Sequence, residues 1–276
     1  MDVLELTRRI DMPKEAMTSL KQVLPTLPDI DREVIRRLAS SQSADEISAW
    51  HSLRHLLKPD ADGWRMLAAM LGCAADATFR RYLDAGIPQD VFIDTMACFS
   101  RFVREHKTSY ATYGFDRDFW TYRQLGMRLF RLGTLEFELV EGTDVPAGIE
   151  GDKAVNVHIP SDADLGADTC DASLKREERF MARFFPTFCE VPVICESWLL
   201  SPALKRLLPQ GSRILDFQRR FQLVSTNDEA EDWREWVFQR NPEPVDRLPE
   251  RTSLQRSMKR WLMGGHRVGT GTGVLI

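Results

Sequence analysis

The chain has 276 residues, a net charge of −4, 43% hydrophobic residues and 28% charged residues. That length fits two domains of ordinary size or one large domain, and the composition is typical of a soluble globular protein. A slightly acidic chain has no excess of cations with which to neutralise phosphates, so we expect no nucleic-acid partner.

Membrane association is not expected either. No apolar run approaches the roughly 18–20 residues that span a bilayer, and the N-terminal segment lacks the apolar region of a signal peptide. The five cysteines include no Cys-x-x-Cys pair, which favours reduced thiols over a disulfide framework or a zinc ribbon. We therefore expect a cytoplasmic protein, and the sequence leaves its oligomeric state open.

The first 120 or so residues have helical periodicity almost throughout. Ser43 and Glu46 have the spacing of a capping box, in which a hydroxyl and a carboxylate satisfy free N–H groups at a helix start. Pro88 suits the first position of a later helix, and the aromatic-rich range 115–126 predicts one more. The N-terminal part is thus predicted to be an all-helical domain.

The pattern changes near Met127 to that of a mixed α/β domain. Elements are predicted in the order strand 128–132, strand 135–140, strand 155–159, helix 171–185, strand 191–198, helix 201–208, helix 212–220, strand 221–225, strand 235–239, a helix opened by Thr252, and a C-terminal strand. The fold class is therefore α+β, with a helical domain over residues 1–126 and an α/β domain over 127–276. A parallel strand pair joined by a helix usually binds its ligand at the carboxyl ends of the strands.

Alternation in two of these strands gives the clearest candidate site. Val155, Val157 and Ile159 point to one face and leave Asn156 and His158 on the other. In the preceding strand, Glu136 and Glu138 lie opposite the apolar face, so the two glutamates would share a polar surface with Asn156 and His158. A carboxylate beside a histidine could take a proton from an amine or hydroxyl. An ordinary solvated sheet face is the alternative.

The loop that follows His158 is a second candidate. Ser161 and Asp162 suit a helix cap, and backbone N–H groups at such a junction can bind a phosphate or pyrophosphate. Two carboxylates, Asp162 and Asp164, oppose a bound anion unless they point away, so plain capping and turn formation is the competing interpretation.

Glu196 ends the apolar strand 191–198 and would lie near His158 if the two strands are parallel neighbours, either as a reacting group or merely exposed to solvent. His51 and His55 have a spacing that can hold a metal, but no third ligand accompanies them, and we predict no metal site.

The C-terminal 150 residues contain the stretches RLGTLEFEL, VNVHIPSDADL, ESWLLSPALKRLLPQGSRILDF and TSLQRSMKRWLMGGHRVGTGTGVL. In these stretches the chain resembles bacterial proteins with an N-acyltransferase N-terminal domain followed by a GNAT-like C-terminal domain. The resemblance covers most of the second half, and the helical first half fits the family's N-terminal part. It implies a GNAT-like α/β domain that uses acetyl-CoA or another acyl-CoA as co-substrate.

By this resemblance, acyl-CoA would bind where the strands at 155–159 and 191–198 separate, with Ile159, Ser161, Asp162 and Gly166 near the cofactor. In typical GNAT enzymes an Arg-x-x-Gly-x-Gly/Ala loop holds the pyrophosphate, and a tyrosine after the next strand acts as general acid. Here the loop has no arginine and only Gly166, and Ser197-Trp198 stands in place of the tyrosine.

The predicted function is transfer of an acyl group from acyl-CoA to an amine or hydroxyl of a small-molecule or peptide acceptor. His158, Glu138 and Glu196 are the candidate catalytic residues, with His158 or a glutamate as the general base. The alternative is a non-catalytic GNAT-like binding or sensor protein that has lost the CoA pyrophosphate loop, and a helical protein-interaction module is a third possibility.

Overall fold

The structure is a computed structural model that describes residues 1–58, 60–239 and 243–276. It divides into two compact units, Met1–Leu132 and Gly133–Ile276.

The first unit is helical, as predicted. Its described residues form α1 Val3–Arg9, α2 Lys14–Val23, α3 Arg32–Leu38, α4 Ser43–Leu57, α5 Trp64–Cys73, α6 Phe79–Asp84, α7 Gln89–Met96, α8 Cys98–Tyr110 and α9 Asp118–Leu125, followed by the short strand β1 Leu129–Leu132. The helix α5 is buried along most of its length, including Leu67, Met70 and Leu71. An apolar helix of this kind serves as the centre around which amphipathic helices pack.

The capping box predicted at Ser43 and Glu46 is wrong. Ser43 is the first residue of α4, and the residue before it, Gln42, makes no side-chain capping bond. Glu46 is fully buried, and its Oε2 accepts hydrogen bonds from Nε and Nη2 of Arg128 at 2.8 and 2.7 Å. Burying an ionised carboxylate is costly unless a cation or hydrogen bonds compensate it, and the local spacing of residues carries no information about a partner 82 positions away.

The second unit is a mixed sheet with helices. The strands are β2 Leu135–Glu141, β3 Lys153–His158, β4 Val193–Ser197, β5 Phe221–Asn227 and β6 Thr270–Leu275; the helices are α10 Ala167–Phe184, α11 Leu204–Leu207, α12 Arg213–Gln218, α13 Asp232–Phe238 and α14 Ser253–Met263. Within this unit the strands lie in the order β2-β3-β4-β6-β5. The pair β3–β4 is parallel, whereas β2–β3, β4–β6 and β5–β6 are antiparallel. The predicted parallel pair with its connecting helix is confirmed.

Register fixes which side chains share a face of the sheet. Phe137 pairs with Val157, and both are fully buried. The opposite face holds a small apolar cluster of Val140, Ala154 and Ile194. Because side chains alternate along a strand, the face with this cluster also carries Glu136, Glu138, Asn156 and His158.

Two element predictions need correction. The range 235–239, predicted as a strand, belongs to helix α13, whose residues Trp233, Val237 and Phe238 are buried. Tryptophan, valine and phenylalanine favour strands, but here their spacing places one helical stripe against a core that includes Met258. The crossover helix α10 begins at Ala167, four residues before the predicted start.

Thr252 opens α14 as predicted, with a reciprocal capping box to Gln255.

Among the described residues, no helix combines the length and the apolar character that a bilayer crossing requires.

Candidate active site on the sheet

The central feature of the site is a contact between β2 and β3. His158 Nε2 lies 2.8 Å from Oε2 of Glu138, and the two side chains are 17% and 8% exposed. In the antiparallel register His158 stands opposite Glu136, and Glu138 stands opposite Asn156, so the contact is diagonal. A neutral imidazole can donate the N–H of one ring nitrogen to a carboxylate, and the other ring nitrogen can then act as a base.

Both glutamates of this surface are buried: 3% of the whole Glu136 residue and 6% of the whole Glu138 residue are exposed. An ordinary solvated face, the alternative considered from sequence, is therefore wrong. Burying carboxylates costs free energy unless they have partners, and His158 supplies one of them for Glu138. The glutamates of this surface therefore make their polar contacts shielded from solvent.

The two parallel strands pair over a short length. Val155 is in register with Val193, and Asn156 with Ile194. The strand β3 continues to His158 and β4 continues to Ser197, and no further register pair joins them within the described chain. The carboxyl ends of β3 and β4 thus extend beyond their shared ladder, and His158 lies on the part of β3 that pairs with β2 but no longer with β4.

Glu196 lies on the part of β4 that no longer pairs with β3. Its register partner is Thr272 on β6, and its residue is exposed. Because Ile194 shares a face with Asn156, Glu196 shares one with His158.

The adjacent Cys195 is fully buried on the other face of the sheet. Burial, reinforced by the charge of Glu196, raises the pKa of this thiol. Cys195 therefore stays protonated and is unsuited as a nucleophile.

The loop after β3 is organised by a residue that the sequence analysis did not select. Oδ1 of Asp164 accepts a hydrogen bond from the Gly166 N–H at 3.0 Å, and its Oδ2 accepts one from Thr169 Oγ1 at 3.1 Å. The Asp164 N–H donates to Thr134 Oγ1 at 2.7 Å. The Gly166 N–H and the Thr169 hydroxyl, in that order, lower the pKa of the Asp164 carboxyl.

The other predicted loop residues have different positions. Gly166 is the N-cap of α10 and has extended backbone angles. As a glycine it has no side chain with which to cap the helix. Ser161 and Asp162 are exposed, and Ile159 is half-buried directly after β3. Helix capping by Ser161 and Asp162 is wrong, because Asp164 turns its carboxylate to this helix start.

Two arginines of the α12 region reach the start of α10. Arg213 Nη1 donates to Asp164 Oδ1 at 3.0 Å. Arg220 donates through Nη2 to the carbonyl oxygen of Ala167 at 3.1 Å and through Nη1 to the Asp171 carboxylate. The local loop has no arginine, and the two guanidinium groups at this helix start, each paired with an aspartate, come from residues 49 to 53 positions away. No local sequence signal could have found them.

Side chains that could ligate a metal do not cluster in the part of the chain that the structure describes. No group of three or more histidine, cysteine or carboxylate side chains there could hold a metal ion. The cysteines are free; Cys73, Cys98, Cys170 and Cys195 are buried and Cys189 is exposed.

The sheet order, the parallel pair that ends early and the crossover helix define a GNAT-like domain, and family models agree. Residues 129–275 match the GNAT-like C-terminal domain, and residues 1–127 match the N-acyltransferase N-terminal domain. The chain belongs to this family, as its resemblance predicted.

Solved structures with this fold include acyltransferases with bound ligands. One, in complex with decanoyl-CoA and teicoplanin, is 24% identical with a TM-score of 0.71; the alignment covers 100% of this chain and 99% of that chain. Another, in complex with CoA and 10C-teicoplanin, is 23% identical with a TM-score of 0.71 and the same coverage. A search of curated proteins gave no match.

Proposed function

We propose that this protein transfers an acyl group from an acyl-CoA to an amine or hydroxyl of a small-molecule or peptide acceptor. The observation that carries the proposal is the early end of the β3–β4 ladder at Asn156 and Ile194, with the His158–Glu138 pair beside it. Family membership and the acyl-CoA complexes of similar structures support the same activity.

In the proposed reaction, His158 takes a proton from the acceptor nucleophile, and Glu138 holds the imidazole and stabilises its charged form. The nucleophile attacks the thioester carbon, a bond to carbon forms, the C–S bond breaks, and the CoA sulfur leaves with the proton. Glu196, on the same face and exposed, is assigned to the acceptor side, where its charge favours an amine. The GNAT-like domain over 127–276 carries these residues, and the helical domain over 1–126 is assigned to acceptor selection.

The cofactor loop in this proposal comprises Ile159, Ser161, Asp162 and Gly166. Backbone N–H groups at the start of α10 would contact the pyrophosphate, which is the usual role of a helix N-terminus towards phosphates. Asp164 would oppose an anion, but Arg213 and the N–H of Gly166 already engage its carboxylate. Arg213 and Arg220 thus neutralise Asp164 and Asp171 at this helix start, so these carboxylates oppose a bound anion less than free ones would.

A non-catalytic binding protein remains the second candidate because the loop lacks the arginine and glycines of typical GNAT enzymes. The two arginines from the α12 region weaken this argument, since they offset the carboxylates of Asp164 and Asp171 at the same helix start.

A thermal-shift series with CoA, acetyl-CoA, octanoyl-CoA and decanoyl-CoA tests cofactor binding. A ligand at 100 times its Kd stabilises the fold by about 2.7 kcal/mol, which raises Tm by several degrees. The double variant R213A/R220A should lose most of this shift. R219A is the matched control, because Arg219 follows the same helix and pairs with a surface carboxylate, Asp216. The absence of any shift at millimolar ligand would contradict the proposal.

A further inference from the structure

A cleft lies between the segment that follows β4, the helices α11 and α12, and the strand β5. It contains about 410 Å³ of space, part of which is open to solvent. The floor of the cleft consists of three buried residues, Leu200, Gln218 and Phe221. The rim consists of four exposed residues, Pro202, Lys205, Arg219 and Leu223.

The cleft lies on the face of the sheet opposite to the candidate active site. Leu223 on β5 is in register with Gly273 on β6, and Gly273 is in register with Cys195 on β4. Residues in register point to the same side of a sheet, and Cys195 faces away from His158. The cleft and the candidate active site are therefore separate.

Two glycines of β6 allow the floor to pack against the sheet. A Cβ atom at Gly273 would lie 3.0 Å from the Cβ of Phe221 and 3.2 Å from Cδ1 of Leu200. One at Gly271 would lie 2.7 Å from the carbonyl oxygen of Leu200. Side chains at these two positions would displace the floor, so the shape of the cleft depends on both glycines.

The floor contains one polar side chain with an unused acceptor. Nε2 of Gln218 donates to the carbonyl oxygens of Leu199 and Ser201 at 3.2 and 2.9 Å. These two acceptors fix which end of the amide is nitrogen. Its Oε1 is buried and has no hydrogen-bond partner among the described residues. A buried acceptor of this kind calls for a donor, which an N–H or O–H group bound in the cleft would supply.

Lys205 gives the rim an unpaired positive charge. Its ammonium group has no ion-pair partner in the described chain. Arg219 is the other cation of the rim, but its guanidinium already engages the carboxylate of Asp216 and the carbonyl oxygen of Gln210. No acidic residue lines the cleft in the part of the chain that the structure describes. The rim therefore favours a negatively charged ligand.

We propose that this cleft binds a small carboxylic acid that has an apolar side group and an N–H or O–H donor next to its carboxylate. The carboxylate pairs with Lys205, the donor bonds to Oε1 of Gln218, and the apolar group packs on Leu200 and Phe221. Ligand sites commonly combine apolar walls with a few polar groups that fix orientation. The inference does not depend on the proposed acyl transfer, because the lining includes no residue of the candidate active site.

Calorimetric titration with three related compounds tests each feature of this ligand. N-acetyl-L-leucine has the carboxylate, the N–H donor and the apolar group. Isocaproate lacks the N–H donor, and N-acetyl-L-leucinamide lacks the carboxylate. We expect N-acetyl-L-leucine to bind, and each of the other two compounds to bind about 3- to 10-fold more weakly.

Charge reversal at Lys205 tests whether the compound binds in this cleft. K205E should raise the Kd of N-acetyl-L-leucine at least about 10-fold, because an attraction becomes a repulsion. R206E is the matched control: Arg206 is an exposed neighbour on α11 outside the lining, and its replacement changes the net charge equally. The Kd of R206E should stay within about threefold of the wild-type value.

Three results would overturn the proposal. One is the absence of binding by N-acetyl-L-leucine at millimolar concentration. Another is an equal Kd in K205E and R206E, which would place the compound elsewhere on the protein. The third is binding of isocaproate or N-acetyl-L-leucinamide as tight as that of N-acetyl-L-leucine, since the cleft would then not recognise the donor or the carboxylate.

Discussion

His158 and Glu138 meet diagonally across the antiparallel pair β2–β3, with Nε2 and Oε2 2.8 Å apart, although each residue has a different partner in register. A diagonal contact requires long side chains that lean along the strand. The imidazole of His158 therefore leans along β3 towards Asn156, the last residue of β3 that pairs with β4.

Replacing the carboxylate tests whether it positions this imidazole. In E138Q we expect kcat to fall by about 10- to 100-fold with little change in KM for acyl-CoA, because the charge that stabilises the imidazolium is lost. The measurement is steady-state thiol release. The control is E141Q, which removes a carboxylate from the same strand that pairs with Lys153 across β2–β3 at 3.8 Å. An E138Q enzyme as fast as E141Q would contradict the role.

Removing the Asp164 carboxylate should disorganise the start of α10. D164A leaves the Gly166 N–H and the Thr169 hydroxyl without their acceptor and Arg213 without its ion-pair partner. We expect a lower Tm and an acyl-CoA Kd raised by about 10-fold. D216A, which breaks a surface pair with Arg219, is the control for a general effect of losing an aspartate.

The pH dependence of this loop has a defined sign. Hydrogen bonds lower the pKa of Asp164 in the folded state, so the folded protein favours the ionised carboxylate. Its stabilisation is fully present above the ordinary aspartate pKa and is lost as pH falls through the lowered value. The Tm difference between wild type and D164A should therefore shrink on acidification, and a constant difference would argue against this contribution.

Glu177 should make stability fall as pH rises. It is buried on α10, and burial, with a smaller effect of Glu178, raises its pKa to about 7. Between the unfolded value near 4.5 and about 7 the folded state holds the extra proton, so the cost of ionisation grows across this window. We expect E177Q to be more stable than wild type by about 1–2 kcal/mol near pH 8 and equal to it near pH 4.

Denaturant unfolding at several pH values measures this difference. E178Q, at the exposed neighbouring position, should show a much smaller pH-dependent gain. If E177Q and wild type differ by the same amount at all pH values, the carboxyl of Glu177 does not titrate in this window.

The buried pair Glu46–Arg128 should be costly to break. R128M leaves the fully buried Glu46 carboxylate without this partner, and we expect a loss of about 3–5 kcal/mol in unfolding free energy. The double variant E46Q/R128M should recover part of that loss, because no charge stays buried. R9A, at the exposed pair with Glu5, should cost at most about 1 kcal/mol.

Much of the second unit follows from local patterns in the sequence. Alternation over Lys153–His158 and Leu135–Glu141 identified the polar face that carries Glu138 and His158, because a period of two leaves no other arrangement once the apolar face is buried. The order of strands and crossover helix likewise indicated the parallel pair.

What local patterns missed depends on distant partners. Asp164 received no special weight because its role depends on Thr134 and Arg213, both far away in the sequence. In the local sequence Glu46 has the spacing of a capping box, but in the fold its carboxylate pairs with the distant Arg128. The burial of Glu136 and Glu138 could not be predicted either, since alternation specifies a face but not what covers it.

The most direct test of the account is thiol release from decanoyl-CoA with a panel of primary amines, together with the mass of the acylated product. We predict acceptor-dependent release by the wild type, and a fall of at least about 100-fold in H158A. The surface variant H266A, which alters a histidine stacked on Trp261, should match the wild type. If H158A releases thiol and forms product as fast as H266A, the base is not His158 and the central claim is wrong.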